Sequence, residues 1–505
     1  MRLTLQPFSL LFSSLFFCFF FFFFWGGGPF WIQCSITLIL VTLKRRNEGK
    51  VDEKMDDTTT KMTNDGWMRS CRLTRRLRGL FRDGNPLKHL VAKVEPLDFS
   101  TWEEYCPADE MQQQLEDQRQ ERRIKHIEND ADGDGNADGD GDADGGAKMR
   151  NGMFILDEER FPEAAEEGIA DSLADVIKWR RTVVKTPAPT EEDLEALPVM
   201  TVSKEALEAW APRDSIRVTW IGHASILASW GGWKVLCDPI FSHRCSPFSF
   251  YGPERIRPSP IQPRDLKQID AIVISHNHYD HLDVASVVAL AKLRDPIPMW
   301  FVPMGIKRLL NRYGIRNVVE LDWNENAVLS DPQERRPALE MTCLPCQHFT
   351  SRGLSDRNKT LWSSWLCSTT TSSSSSPSSV SSHQSPSSFK FYFTGDSAYC
   401  GKVFKSIGER YGPIDFAAIP IGAYGHSSER WFMKAVHMDP SEAVKTHLDL
   451  NSKQSMGMHW GTFQLTAEPI LEPPLLLREA LEQQRIPQDD FVVFKHGETR
   501  TFPKT

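Results

Sequence analysis

The chain has 505 residues, 40% hydrophobic and 25% charged, with a net charge of -8. That apolar content is enough for a sizeable core, and the acidic balance argues against a nucleic-acid partner. The 10 cysteines read as mostly reduced thiols in a cytosol-facing protein.

The first 150 residues differ in kind from the rest. No charged residue lies between Leu3 and Leu43, and Phe16 to Trp25 is nearly all phenylalanine. A spanning helix needs ~20 apolar residues. If this stretch is a membrane anchor, the following Lys44-Arg45-Arg46 leaves the rest of the chain on the cytosolic side. A leader read from a wrong start codon fits the poly-phenylalanine equally well, and no small-residue cleavage site marks a signal peptide. Met68 to Lys93 carries Arg69, Arg72, Arg75, Arg76, Arg78 and Arg82, with Leu73, Leu77, Leu80 and Phe81 on one helical face. Three readings fit it: a helix on an anionic membrane surface, an organelle-targeting leader if translation begins near here, or a solvated or disordered basic segment. Asp130 to Gly146 alternates Asp with Gly or Ala. Asp130, Asp132, Asp134 and Gly135 imitate the start of a calcium loop, but the twelfth position is Gly141 where a bidentate Glu is needed, so an acidic disordered linker is expected. The chain therefore divides into 1–150, an extension mostly disordered or membrane-associated, and 151–505, a folded domain with a serine-rich surface loop inserted at 369–388.

Apolar and alternating runs in the second part predict strands at Ile216–Ile221, Ile226–Trp230, Trp233–Cys237, Ala271–Ser275, Met299–Val302, Glu340–Leu344, Phe389–Thr394, Phe416–Ile421, Ser455–His459 and Phe491–Lys495. Helical patterns cover Val284–Leu293, Ile306–Tyr313, Lys402–Arg410, Pro440–Leu448 and Pro474–Gln484. Pro440 suits a first helical turn, with Asp439 as its cap. The class is mixed α/β.

Ser275-His276-Asn277-His278-Tyr279-Asp280-His281-Leu282-Asp283 follows the buried run Ile269–Ile274. His276, His278, Asp280 and His281 put four metal-capable side chains within six residues, on a loop leaving a strand end. Imidazoles and a carboxylate in that arrangement suit Zn²⁺. Three later strand ends each deliver one more candidate: His348, Asp396 and His459.

The order His-x-His-x-Asp-His, then His, Asp and His, resembles the metallo-β-lactamase superfamily. A narrower likeness is to the N-acyl-phosphatidylethanolamine-hydrolysing phospholipases D. It rests on Val218–Ala224, Asp238–Ser242, Ser246-Pro247 through Gly252-Pro253, Ile274–Asp283, Trp300–Pro303, Leu321–Trp323, Gly395–Cys400, Ala418–Tyr424, His437–Pro440 and His459–Phe463, and it covers roughly 150 to 500. Ile419-Pro420-Ile421-Gly422-Ala423-Tyr424 and His459-Trp460-Gly461-Thr462-Phe463 are the strings that make it specific.

The resemblance implies a four-layer αβ/βα sandwich and two zinc ions per chain. His276, His278 and His348 would hold the first, Asp280, His281 and His459 the second, with Asp396 across both. Two such ions share and acidify a water and neutralise an anionic phosphodiester, so a zinc-bridging hydroxide would attack phosphorus directly. The implied reaction cleaves N-acyl-phosphatidylethanolamine to phosphatidic acid and an N-acylethanolamide. Asp280, Asp396 and His437 would be the catalytic side chains, with His437 touching the polar part of the substrate. Tyr279 and Asp283 are expected to support the ligands or pack. A membrane phospholipid is the implied partner, with a homodimer and a membrane-associated location. The chain departs from the family pattern at Gly425-His426-Ser427-Ser428, which looks like a short insertion, and at Cys346. Another superfamily hydrolase, such as a lactonase or nuclease, stays open, as does a non-catalytic membrane-binding protein on this fold. A lost ligand would mark the last, and all seven are present.

Overall fold

A computed structural model describes residues 107–131, 146–157, 188–293, 296–353, 355–370 and 388–504, with isolated positions between 159 and 181. The apolar leader, the arginine-rich stretch, the Asp/Gly run from 132 to 145 and the serine-rich 371–387 lie outside the described residues. Among the described residues no helix is long and apolar enough to cross a membrane.

Two seven-stranded sheets form the frame. The first contains β3 (Ser215–Gly222), β4 (Ser225–Trp230), β5 (Trp233–Cys237), β6 (Ala271–Val273), β7 (Met299–Pro303), β8 (Val318–Leu321) and β16 (Thr499–Pro503), in the order β16-β3-β4-β5-β6-β7-β8. The second contains β9 (Asn326–Leu329), β10 (Ala338–Leu344), β11 (Ser364–Thr370), β12 (Lys390–Phe393), β13 (Ile414–Pro420), β14 (Ser452–Met458) and β15 (Phe491–Val493), in the order β15-β14-β13-β12-β11-β10-β9. A small hairpin, β1 (Met149–Arg150) with β2 (Met153–Phe154), precedes them. Each sheet is antiparallel over one half and parallel over the other: β16-β3-β4-β5 and β9-β10-β11-β12 are antiparallel, β5 to β8 and β12 to β15 parallel.

Alternation along the strands makes the layers. In β5, Trp233, Val235 and Cys237 face the core shared with Trp365, Phe391, Phe393 and Phe416 of the second sheet. Leu236 faces the other way, into a second core with Ile272, Trp300 and Val302. That outer core is covered by α4 (Val284–Leu290) and α5 (Lys307–Arg312), through Val287, Leu290 and Leu310. The far side of the second sheet is covered by α6 (Gly401–Tyr411), α8 (Pro440–Asp449) and α9 (Glu472–Gln484), through Phe404, Ile407, Val444, Leu477 and Leu481. With both faces of each sheet covered, the central strands read as continuous apolar runs. The four-layer αβ/βα architecture expected from the resemblance is present.

Each of the ten expected strands and five expected helices corresponds to an observed element. β6 stops at Val273 rather than Ser275, because the Ser275 amide leaves the ladder and donates to Asp238 Oδ1 at 2.7 Å. Asp439 caps α8 in a reciprocal pair with Glu442, and Pro440 takes the first turn. β1, β2, β8, β9, β11 and β16 were not anticipated, nor were the short helices α2 (Glu191–Ala196), α3 (Lys204–Glu208) and α7 (Arg430–Met433). Thr369 and Thr370, read as part of the serine-rich loop, close β11 in regular register with β10.

One boundary moves. Helix α1 (Pro107–Ala131) lies inside the stretch assigned to the extension, yet Ala108, Gln112 and Leu115 are buried. The Arg119 guanidinium pairs with Glu325 at 2.5 Å, and the Gln112 side chain accepts from the Glu320 amide at 2.9 Å. Residues within 1–150 therefore contribute to the packed sandwich, through α1. The helix carries little apolar periodicity, which is why its docking by polar bonds left no hydrophobic pattern to read.

Candidate metal centre

All the candidate ligands stand where strands end. His276, His278, Asp280 and His281 occupy the turn between β6 and α4, while His348, Asp396 and His459 follow β10, β12 and β14. The C-terminal ends of parallel strands form such a cleft, because the crossover helices return on the outer faces. Backbone strain marks the corners. His223, Asp238 and His459 follow directly on β3, β5 and β14 with φ of 57°, 36° and 62°. Few side chains other than glycine's tolerate this region, and it turns all three abruptly away from their strands.

The donors form two sets. In the first, His276 Nε2 lies 2.8 Å from His278 Nδ1, and His348 Nε2 lies 3.3 Å from the same atom. In the second, Asp280 Oδ2 is 3.3 Å from His281 Nε2 and 3.4 Å from His459 Nε2, and the two imidazole nitrogens are 3.2 Å apart. Asp396 joins them: its Oδ2 is 3.8 Å from both His276 and His348 and 3.0 Å from His281, and its Oδ1 is 3.1 Å from His459. Ligands held 2.0–2.1 Å from a tetrahedral ion stand roughly 3.3 Å from one another. The spacing fits. Asp396 Oδ1 is buried and has no hydrogen bond despite its close histidine, so the two atoms face a common point rather than each other.

The far sides of the rings are held. Asp238 accepts His281 Nδ1 at 2.6 Å. Ser275 Oγ donates to Asp238 and sits 2.9 Å from His276 Nδ1. The Val436 carbonyl accepts His348 Nδ1 at 2.9 Å. Each bond fixes the tautomer that leaves Nε2 free to face inward.

Electrostatics separates the two sets. Burial, reinforced by neighbouring imidazoles, lowers His276 well below its ordinary value and His278 to about 3. Burial also takes His348 to about 4. Burial works against His281 and His459 too, but Asp396 and Asp280 outweigh it; His281 stands well above its ordinary value and His459 at about 9. Burial likewise opposes the charge on Asp280 and Asp396, and His281 first among their partners holds both well below the carboxylate range. Asp280 and Asp396 thus favour the protonated forms of His281 and His459. A cation binding there displaces those protons.

His437 joins this group. It is buried, its ring centroid lies 5.1 Å from that of His348 and 5.3 Å from that of His459, and its Nδ1 has no hydrogen-bond partner. Tyr279 and Asp283 stand behind the loop. Asp283 caps α4 through the Ser286 amide, and Tyr279 donates to the Arg352 carbonyl. The Cys346 thiol donates to the Asp396 carbonyl at 3.6 Å. Cys343 and Cys346 stand at a Cys-x-x-Cys spacing, but both are buried free thiols with pKa values pushed up by burial, which marks them as inert.

Two residues were missed as site residues. His223 Nε2 lies 2.8 Å from Asp280 Oδ2 and its ring packs 3.9 Å from that of His459. It belongs to the same donor cluster as Asp280, His281 and His459. Asp238 is the other. Both stand in the strings Gly222-His223-Ala224 and Asp238-Pro239, and a chemically capable residue directly after a strand was the available signal.

Comparison with known proteins follows the same residues. A model of the β-lactamase superfamily domain matches residues 234–460. The chain is 38% identical over 309 residues to N-acyl-phosphatidylethanolamine-hydrolyzing phospholipase D 1 of Caenorhabditis elegans, covering 60% of this chain and 79% of that protein. The chain belongs to that family. An uncharacterized protein of Mycobacterium tuberculosis is 38% identical over 297 residues, 58% of this chain and 70% of its own. The mitochondrial N-acyl-phosphatidylethanolamine-hydrolyzing phospholipase D of Saccharomyces cerevisiae is 33% identical over 260 residues, 50% of this chain and 49% of its own. The chain is thus a hydrolase of β-lactamase fold with candidate metal-binding groups.

Proposed function

We propose that the chain is a zinc-dependent phospholipase D that hydrolyses N-acyl-phosphatidylethanolamine to phosphatidic acid and an N-acylethanolamide. The observation that carries the reading is the Asp396 carboxylate lying between two donor sets. Identity to a relative named for this activity over 79% of that relative's length supports the substrate.

His276, His278 and His348 would hold one Zn²⁺, Asp280, His281 and His459 the other, and Asp396 would reach both. Bound there, two dications neutralise the phosphodiester and lower the pKa of a water toward neutrality. The chain's own groups do the rest. Asp238 and the Val436 carbonyl keep His281 and His348 in the tautomers that bind. His223 holds Asp280 in place. His437, with an unused buried ring nitrogen beside both sets, offers a hydrogen bond to a phosphoryl or leaving oxygen. Association with the membrane that contains the lipid, and a homodimer, belong to the same reading. The arginine-rich 68–93 stretch suits organelle targeting, a fit favoured by the mitochondrial name of the yeast relative.

The test offers the purified full chain three substrates: N-acyl-phosphatidylethanolamine in detergent, a lactone, and bis(p-nitrophenyl) phosphate. Release of N-acylethanolamide and phosphatidic acid is expected, with ¹⁸O from labelled water in the phosphatidic acid. Label in the N-acylethanolamide would mean carbon–oxygen cleavage, and turnover of the lactone alone would replace this reading with a lactonase.

A further inference from the structure

The ligand loop between β6 and α4 carries four of the seven donors. Within it, the amides of His281 and Leu282 both donate to the His278 carbonyl, at 3.1 and 2.8 Å, closing a turn around Asp280. Two other carbonyls bracket that turn, those of Asn277 and Leu282. One atom takes both: Arg352 Nη1 donates to each at 2.7 Å. The guanidinium carbon also lies 4.0 Å from the Tyr279 ring centroid, and the Tyr279 hydroxyl donates back to the Arg352 carbonyl at 2.9 Å. Loop and arginine hold each other from two sides.

Arg352 is itself anchored. The Asp356 carboxylate accepts from the Arg352 amide at 3.1 Å and from the Gly353 amide at 2.7 Å. Arg352 also stands four residues after His348, on the same segment. Its side chain therefore ties the segment of His348 to the loop of His276, His278, Asp280 and His281, which together hold five of the seven donors. A guanidinium suits this role, because Nη1 carries two divergent hydrogens on a planar, permanently charged group, and hydrogen bonds from charged donors are the stronger kind. A lysine ammonium is a compact point charge without that fixed fork.

We propose that Arg352 is a positioning residue for the metal centre, setting the spacing of His278, Asp280 and His281 against His348. The proposal rests on the reading of this centre as a zinc site. Because the loop donates to both sets, loosening it weakens both ions together.

Full-length wild type, Arg352→Lys, Arg352→Ala and Tyr279→Phe are loaded with Zn²⁺ and equilibrated against rising concentrations of a competing chelator. Retained metal is read by elemental analysis, and the melting temperature of each metal-free form is measured beside it. Groups that orient metal ligands are worth roughly 10–100-fold in affinity. Arg352→Lys is expected to release both ions at about tenfold lower chelator, with metal-free melting as in wild type. Arg352→Ala goes further and Tyr279→Phe less far, in the same direction. If Arg352→Ala does not fold, Arg352→Lys decides alone. The proposal is overturned if Arg352→Lys holds zinc as wild type does, if it loses one ion and keeps the other, or if its zinc loss only tracks a fall in metal-free melting. Wild type that takes up no zinc overturns the metal reading itself, a result distinct from equal retention by every form.

Discussion

The first sheet delivers His276, His278, Asp280 and His281 on one loop after β6, whereas the second delivers His348, Asp396 and His459 singly, from the ends of β10, β12 and β14. The loop's donors lie on one turn and share their supports, Asp238 and Arg352. The second sheet's donors come from three separate strand ends, with the His348 and Asp396 segments joined by bonds from the Gln347 amide to Ser397 and from the Cys346 thiol to the Asp396 carbonyl. The centre therefore exists only when the two sheets are closed on their common core, and metal binding draws on the stability of the whole sandwich. Asp396 is the point of greatest leverage, since it alone touches donors of both sets from the second sheet.

The largest effect should follow from removing it. Asp396→Ala is expected to lose both ions by elemental analysis and to reduce lipid hydrolysis to background. His348→Ala is the sharper comparison: one ion should go, with nearly all turnover, while the Asp280, His281 and His459 set keeps the other. A wild-type stoichiometry near one with full activity would break the two-set description.

A change on the first sheet that spares every donor comes next. Asp238→Ala removes the acceptor of His281 Nδ1 and of the Ser275 amide. Zinc affinity, measured by chelator competition, should fall roughly 10–100-fold with both ions still bindable. Unchanged affinity would show that the ring needs no orientation from behind.

The two donor sets also differ in pH behaviour. His278 and His348 lie at about 3 and about 4 in the metal-free chain, so they are already neutral near pH 7 and their set binds without releasing protons. His281 is raised and His459 sits at about 9, so protons must leave before a cation enters. Affinity for the second ion should therefore rise with pH through neutrality toward at least about 9, whereas affinity for the first stays nearly flat through neutrality. Mild acid should eject one ion before the other, visible as a half-loaded plateau in metal content. Parallel loss of both would contradict the separation.

These differences also explain what could be read in advance. The loop was legible because four donors crowd into six residues after an apolar run. His348, Asp396 and His459 were legible only as strand-end residues in a matching order. The central strands were legible because burial on both faces makes them uniformly apolar. β11 was not, since its Ser368, Thr369 and Thr370 merge into the serine-rich stretch. His223 and Asp238 carry only the signal of a capable residue after a strand, and Arg352 carries none: their partners Asp280, His281 and Asn277 lie 57, 43 and 75 residues away. Such pairings come from topology, which brings strand ends together without leaving a spacing in the sequence.

The smallest expected effect on chemistry concerns the N-terminal part, and it tests where the sandwich begins. All seven expected ligands lie beyond 275, and His223 beyond 150, so a chain lacking residues 1–104 should hydrolyse detergent-dispersed lipid like the full chain. A chain lacking 1–150 should keep its metal as well, but it also loses α1, β1 and the Ala147 amide that donates to Asp322. Leu115 and Ala108 leave the shared core, and Glu325 gives up its Arg119 partner. Removing one side of a partly buried ion pair costs about 1–3 kcal/mol, because the remaining carboxylate stays in a low-dielectric setting. The shorter chain should melt measurably lower than the longer one while the two share turnover and zinc content. Equal melting would mean that α1 is bound without contributing. Loss of zinc with α1 would mean that β8 and β9, the strands it leans on, transmit strain to the centre from the sheet edges.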